Sequence, residues 1–128
     1  MLHDPLADAI SAVRNAEKAG KRECTIGKNS KMIREVLARM QETGYIEKFE
    51  VADTARGGKI KVLLSGKIND CKVIVPRYFV KKDEYEQWEK QFLPASGVGI
   101  LLVSTSKGLA SHRDVRGKLG GALVAYVY

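Results

Sequence analysis

The stretch from Val98 to Gly108, V-G-I-L-L-V-S-T-S-K-G, sets a polar tip on an apolar run. Ile100 to Val103 is unbroken hydrocarbon, the pattern of a strand buried on both faces. Ser104, Thr105, Ser106, Lys107 and Gly108 follow it directly. Hydroxyls donate and accept hydrogen bonds, a lysine neutralises a phosphate, and a glycine lets a second backbone come close. In a chain of net charge +7, such a tip is suited to nucleic acid.

Other reactive residue types do not assemble. His3 and His112 are the only histidines. Ser111, His112 and Asp114 are nearly consecutive at a helix start and cannot converge as a catalytic triad. Cys24 and Cys71 lack zinc-ligand spacing and read as small buried thiols. Asp83, Glu84, Glu86 and Glu89 read as a solvated helix face. Gly97 and Gly99 match half of a dinucleotide fingerprint, but the third glycine and its helix are missing. The expectation is a non-enzymatic chain with no cofactor, no metal and no small-molecule substrate.

Charge sharpens the nucleic-acid reading. After Lys90 the chain carries Lys107, Arg113, Arg116 and Lys118 against Asp114 alone. Aromatic residues make up only 7%, which argues against base stacking as the main mode. Hydroxyls, lysine and glycine suit structured RNA instead, where phosphates and 2′-hydroxyls are the accessible groups.

The elements that must position this tip follow from periodicity. Asp4 can cap a first helix and Pro5 fits its first position. Leu6, Ala9, Ile10, Val13 and Ala16 share one face, and Gly20 ends it. Ser11, Arg14 and Lys18 line a flank that is either phosphate-facing or merely solvated. Arg22 to Ile26 reads as a strand. Asn29 and Ser30 offer caps for a second helix with Met32, Ile33, Val36, Leu37 and Met40 as its apolar face and Glu35–Arg39 as a side pair. Tyr45 to Ala52 and Lys59 to Leu64 read as a hairpin around a turn from Asp53 to Gly58.

Gly66 is the expected joint, giving domains 1–66 and 67–128. Cys71 to Val75 and Tyr78 to Val80 look strand-like, with Pro76 between them. Lys81 to Phe92 suggests a helix ending before Pro94, with Trp88 in the core. Ser111 to Asp114 has capping-box spacing and starts a short helix with Arg113, Arg116 and Lys118 on its exposed side. Gly120-Gly121 breaks it, and Ala122 to Tyr128 forms a last strand. The class is α+β: a helix-strand-helix-hairpin unit and a mostly β unit with a short helix.

At 128 residues, this is one domain or two very small ones. No apolar run reaches bilayer-spanning length. Met1 to Gly20 contains Asp4 and Asp8 and no cleavage-site pattern, so a cytoplasmic chain is expected.

The sequence resembles ribosomal protein eight of the small subunit, in its archaeal-type form. The carrying segments are Asp4-Pro5-Leu6-Ala7-Asp8, Arg14-Asn15-Ala16, Ser30-Lys31, Gly44-Tyr45-Ile46, Gly99 to Gly108, and Gly120-Gly121 with Ala125-Tyr126-Val127. The resemblance implies an α/β amino-terminal domain and a mostly β carboxy-terminal RNA-binding domain, packed together. It implies primary binding to the central domain of small-subunit ribosomal RNA (16S type), nucleation of the platform, and contacts with neighbouring small-subunit proteins. Carried over, the RNA contacts are Ser104, Thr105, Ser106, Lys107 and Gly108, with amino-terminal contacts near Asp4, Pro5, Arg14, Ser30 and Lys31. Arg116 and Lys118 join them on charge. Asn29 stands where bacterial members often have a nearby proline, and Ala122 where they carry a glutamate, so contacts of that glutamate are not carried over. The Lys67 to Ser96 segment looks longer than in bacteria. A free regulatory module acting on messenger RNA is the alternative.

Overall fold

A computed structural model describes residues 5–27, 30–54, 57–75, 77–95 and 97–128. The chain divides into two units, Met1–Cys71 and Lys72–Tyr128. The division falls inside a strand rather than at Gly66.

The first unit opens with α1, Pro5–Lys18, whose Leu6, Ala9, Ile10, Val13 and Ala16 are buried. That one-sided stripe drives the helix against its sheet, each large side chain contributing about 1.5–3 kcal/mol. Gly20 takes a φ of 73° and ends it. β1, Glu23–Ile26, alternates exposed and buried residues. α2, Lys31–Glu42, buries Ile33, Val36, Leu37 and Met40. Met32 is only half-buried, and Arg39 reaches forward to Glu42 at 3.1 Å rather than back to Glu35. β2, Ile46–Thr54, and β3, Gly57–Leu64, complete an antiparallel sheet in the order β1-β3-β2.

The β2–β3 hairpin is tighter than expected. Asp53 pairs with Gly58 and Thr54 with Gly57, so these residues belong to the strands. Register pairing with β2 keeps both glycines in the strand and overrides their breaker character.

The second unit holds a five-stranded sheet ordered β4-β8-β6-β7, with β5 also on β8. The strands are β4, Cys71–Val73; β5, Phe79–Val80; β6, Ile100–Thr105; β7, Gly108–Ser111; and β8, Gly121–Val127. β4 and β5 are shorter than the sequence pattern suggested, and Pro76 lies outside the described residues. α3, Tyr85–Phe92, packs on this sheet, and α4, His112–Val115, follows β7. Ile74, Val80, Tyr85, Leu93, Leu101, Val103, Val115 and Leu123 form the core. β8 is an interior strand, as its apolar run requires.

Candidate nucleic-acid interface

The polar tip is not a loop. β6 continues through Ser104 and Thr105, and β7 begins at Gly108, so only Ser106 and Lys107 turn the chain. Ser104 pairs with Leu109 and Thr105 with Gly108. Ladder pairing carries the strands past the end of the apolar run. Ser106, Lys107 and Gly108 are exposed, whereas Ser104 and Thr105 are half-buried.

The turn is held by its own threonine. Thr105 Oγ1 donates to the Gly108 carbonyl at 2.7 Å and accepts the Lys107 N–H at 3.2 Å. Gly108 has a φ of 109°, which β-carbon-bearing residues rarely adopt, yet a β-carbon there would meet nothing within 4 Å. Its side facing outward is open to an approaching backbone. Beneath the turn, β8 comes very close: a β-carbon on Gly121 would lie 2.3 Å from the Ser104 carbonyl oxygen. Gly120 meets the Val80 carbonyl at 2.4 Å in the same way. The glycine pair is thus a close-packing device at the start of β8. The chain already leaves α4 before it, at Arg116.

The base of the hairpin carries a polar network that sequence reasoning missed. Glu89, assigned above to a solvated face, is buried, as is His112. His112 Nε2 lies 2.9 Å from Glu89 Oε1, and Nδ1 accepts the Leu101 N–H at 2.9 Å. That second bond fixes the tautomer: Nδ1 is unprotonated and Nε2–H donates to the carboxylate. Burial lowers the imidazole pKa, Glu89 pulls it up, and Arg113 and Arg116 push it down. The net direction is down, in agreement with an acceptor Nδ1. Arg116 Nη1 reaches the same Glu89 oxygen at 3.2 Å with a half-exposed side chain. Arg113 Nη2 donates to the carbonyls of Gly97 and Gly99 at 2.9 and 2.7 Å. Ser111 caps α4 through Arg113 N–H, while Asp114 is exposed. Of the basic residues on this side, Lys118 is exposed.

The remaining candidates lie in the first unit. Pro5 is the first described residue of α1, and Asp4 lies outside the described residues. Arg14 makes an ion pair with Asp70. Burial raises the Asp70 carboxyl, but the Arg14 hydrogen bond and charge, with the Cys71 N–H, bring it below the usual range. Ser30 spends its hydroxyl as the α2 cap, accepting the Ile33 N–H at 3.2 Å. Lys31 is exposed. The candidates therefore fall into two groups, one in each unit.

A family model described as Ribosomal protein S8 matches residues 4–128. The chain belongs to that family. It is a ribosomal protein of the small subunit that binds ribosomal RNA, and the family is structural rather than enzymatic. The family match extends across both groups of candidates. Among the described residues, no cluster of three or more His, Cys, Asp or Glu could hold a metal ion, and no helix is long and apolar enough to cross a membrane.

The structure also reveals a row of aromatic rings. Tyr78, Trp88, Phe92, Tyr126 and Tyr128 follow one another at centroid spacings of 4.9, 6.1, 5.7 and 5.9 Å, all stacked. Trp88 is half-buried against the core, in line with its sequence reading. The i, i+4 spacing of Trp88 and Phe92 and the i, i+2 spacing of Tyr126 and Tyr128 were the available signals.

Proposed function

We propose that this chain is a primary binder of the central domain of 16S-type small-subunit ribosomal RNA, in the archaeal-type form of the family. In this reading it helps nucleate the platform, touches neighbouring small-subunit proteins, and works in the cytoplasm. The second unit supplies the main RNA contacts through Ser104 to Gly108, with Lys118 and the half-exposed Arg116 adding charge. Pro5, Arg14, Ser30 and Lys31 add contacts from the first unit, as does Asp4.

One observation carries the reading. Ser106 and Lys107 stand exposed on a two-residue turn whose strands belong to a buried sheet. A hydroxyl, a cation and an open glycine face held on a stiff support are what shape-specific RNA recognition requires. The test is chemical footprinting of the full chain on deproteinised small-subunit RNA across a salt series. Protection confined to the central domain, weakening steeply with salt, supports primary binding. Protection that appears only after other proteins are added, or that ignores salt, overturns it.

A further inference from the structure

We propose that Glu89 and His112 are positioning residues for RNA recognition: together they lock the open end of the β6–β7 ladder and so fix where the Ser106–Lys107 turn projects. The proposal rests on the reading of that turn as an RNA-contacting element.

The backbone ladder between β6 and β7 has its last register pair at Leu102 and Ser111. Beyond it the chain enters α4. His112 Nδ1 then accepts the Leu101 N–H, so a side chain stands in for the next backbone carbonyl and adds one more rung. Glu89 grips the other nitrogen of the same ring. Glu89 belongs to α3, so one buried carboxylate ties that helix to the hairpin's base.

Charged and aromatic groups face the imidazole from both helices, and of these Glu89 alone bonds it. From α3 come Glu89 and the Tyr85 ring, 6.4 Å from the imidazole centroid. From α4 and its end come Arg113, clamped to Gly97 and Gly99, and Arg116, which meets Glu89. β7 lies at the end of the sheet order, with β6 as its neighbour. From His112 to the turn runs about 16 Å of strand at about 3.3 Å per residue, so a splay of about 5° displaces the turn by about 1.4 Å. A displacement of about 1 Å is enough to spoil a recognition constellation.

The test uses the full chain, with deproteinised small-subunit RNA as probe and an unrelated RNA of equal length as reference. Glu89→Ala should lose about tenfold on the ribosomal RNA and nothing on the reference, at unchanged salt slope. Glu89→Gln keeps an acceptor for the imidazole N–H and should return to within about threefold of the parent. In the parent, ribosomal RNA affinity should hold through the ordinary imidazole range and fall only at lower pH, where the buried Nδ1 takes a proton. His112→Asn offers Leu101 an amide oxygen that does not titrate, and should flatten that profile. A folded Glu89→Ala variant that binds like the parent overturns the proposal, and so does a pH-independent parent profile. If Glu89→Ala does not fold, the parent pH profile and His112→Asn decide. Lys107→Ala and Gly108→Val run alongside. If they weaken binding and Glu89→Ala does not, the turn reading stands and the positioning role falls. If neither weakens binding, the turn reading itself fails.

Discussion

Glu89 accepts a 2.9 Å hydrogen bond from His112 Nε2 within the second unit, joining α3 to α4 where almost no solvent reaches. A buried carboxylate is costly unless its lone pairs are filled and its charge is met. His112 fills one site as a neutral donor, and Arg116 supplies the opposing charge from the edge.

The first prediction is a pH dependence of folding. The native pKa of His112 lies below the ordinary imidazole value of 6.5, because burial disfavours its cation. The unfolded chain then binds the extra proton first. The stabilisation is complete above about 6.5 and is lost as pH falls toward the native value. Asp70, held below the carboxylate value of 3.8 by Arg14, contributes a separate loss at lower pH. Denaturant midpoints measured from neutral to acid should show both windows. His112→Asn should erase only the upper one; if the upper window persists, another group titrates there.

The second prediction separates two neighbouring cations. Arg116→Ala strips the charge that faces Glu89. Exposed pairs are worth under about 1 kcal/mol, and orphaning a buried charge costs about 3–5. Half-exposed Arg116 falls between, at about 1–2 kcal/mol of stability. Lys118→Ala should leave the melting temperature unchanged and weaken RNA binding only through salt-sensitive attraction. Equal melting temperatures for the two variants would contradict this.

The third prediction divides the turn residues. Lys107→Ala should lower the salt slope of RNA binding by about 0.7 to 1 and affect all RNAs alike. Ser106→Ala should leave melting unchanged and lose about 1–3 kcal/mol on ribosomal RNA alone. Thr105→Val removes the hydroxyl that bonds Gly108 and Lys107, so it should cost about 0.5–1.5 kcal/mol of stability as well. Affinity and melting measured on the same preparations distinguish these outcomes.

The fourth prediction concerns close packing. Gly121→Ala places a β-carbon against a backbone oxygen that cannot move aside, and should cost about 1–3 kcal/mol. Gly117→Ala meets open space and pays only for its φ of 76°, about 1 kcal/mol. Melting temperatures in the reverse order would show that β8 can shift away from β6.

The fifth prediction is that Cys71 is chemically silent in the native state. Its thiol is buried, and desolvation with the Asp70 charge pushes its pKa to about 12. Thiol reagents should label it only as the chain opens, and reductant should leave the melting temperature unchanged. Fast native labelling at Cys71 would contradict that burial.

Much of the fold was legible because its stripes are local. The buried faces of α1 and α2, the apolar run of β6 and the Ser30 and Ser111 caps are all readable at fixed spacing. Glu89 was misread because the acidic cluster of Asp83, Glu84, Glu86 and Glu89 gives no local sign of which member turns inward. Its partner His112 is 23 positions away in sequence, brought close only by the sheet. Arg14 was read as a flank residue because Asp70 is likewise distant, and Thr105 because a hydroxyl's partner inside a turn depends on register.

Trp88 is the only tryptophan, and it sits inside the stacked row of rings in the second unit. Its fluorescence, excited at the red edge where tyrosine does not absorb, therefore watches that unit and is blind to the first. Near-ultraviolet dichroism should be dominated by the same coupled rings. A melt followed by Trp88 and a melt followed by backbone signal will superimpose only if both units unfold in one step, so the chain carries its own optical gauge of whether its halves are cooperative.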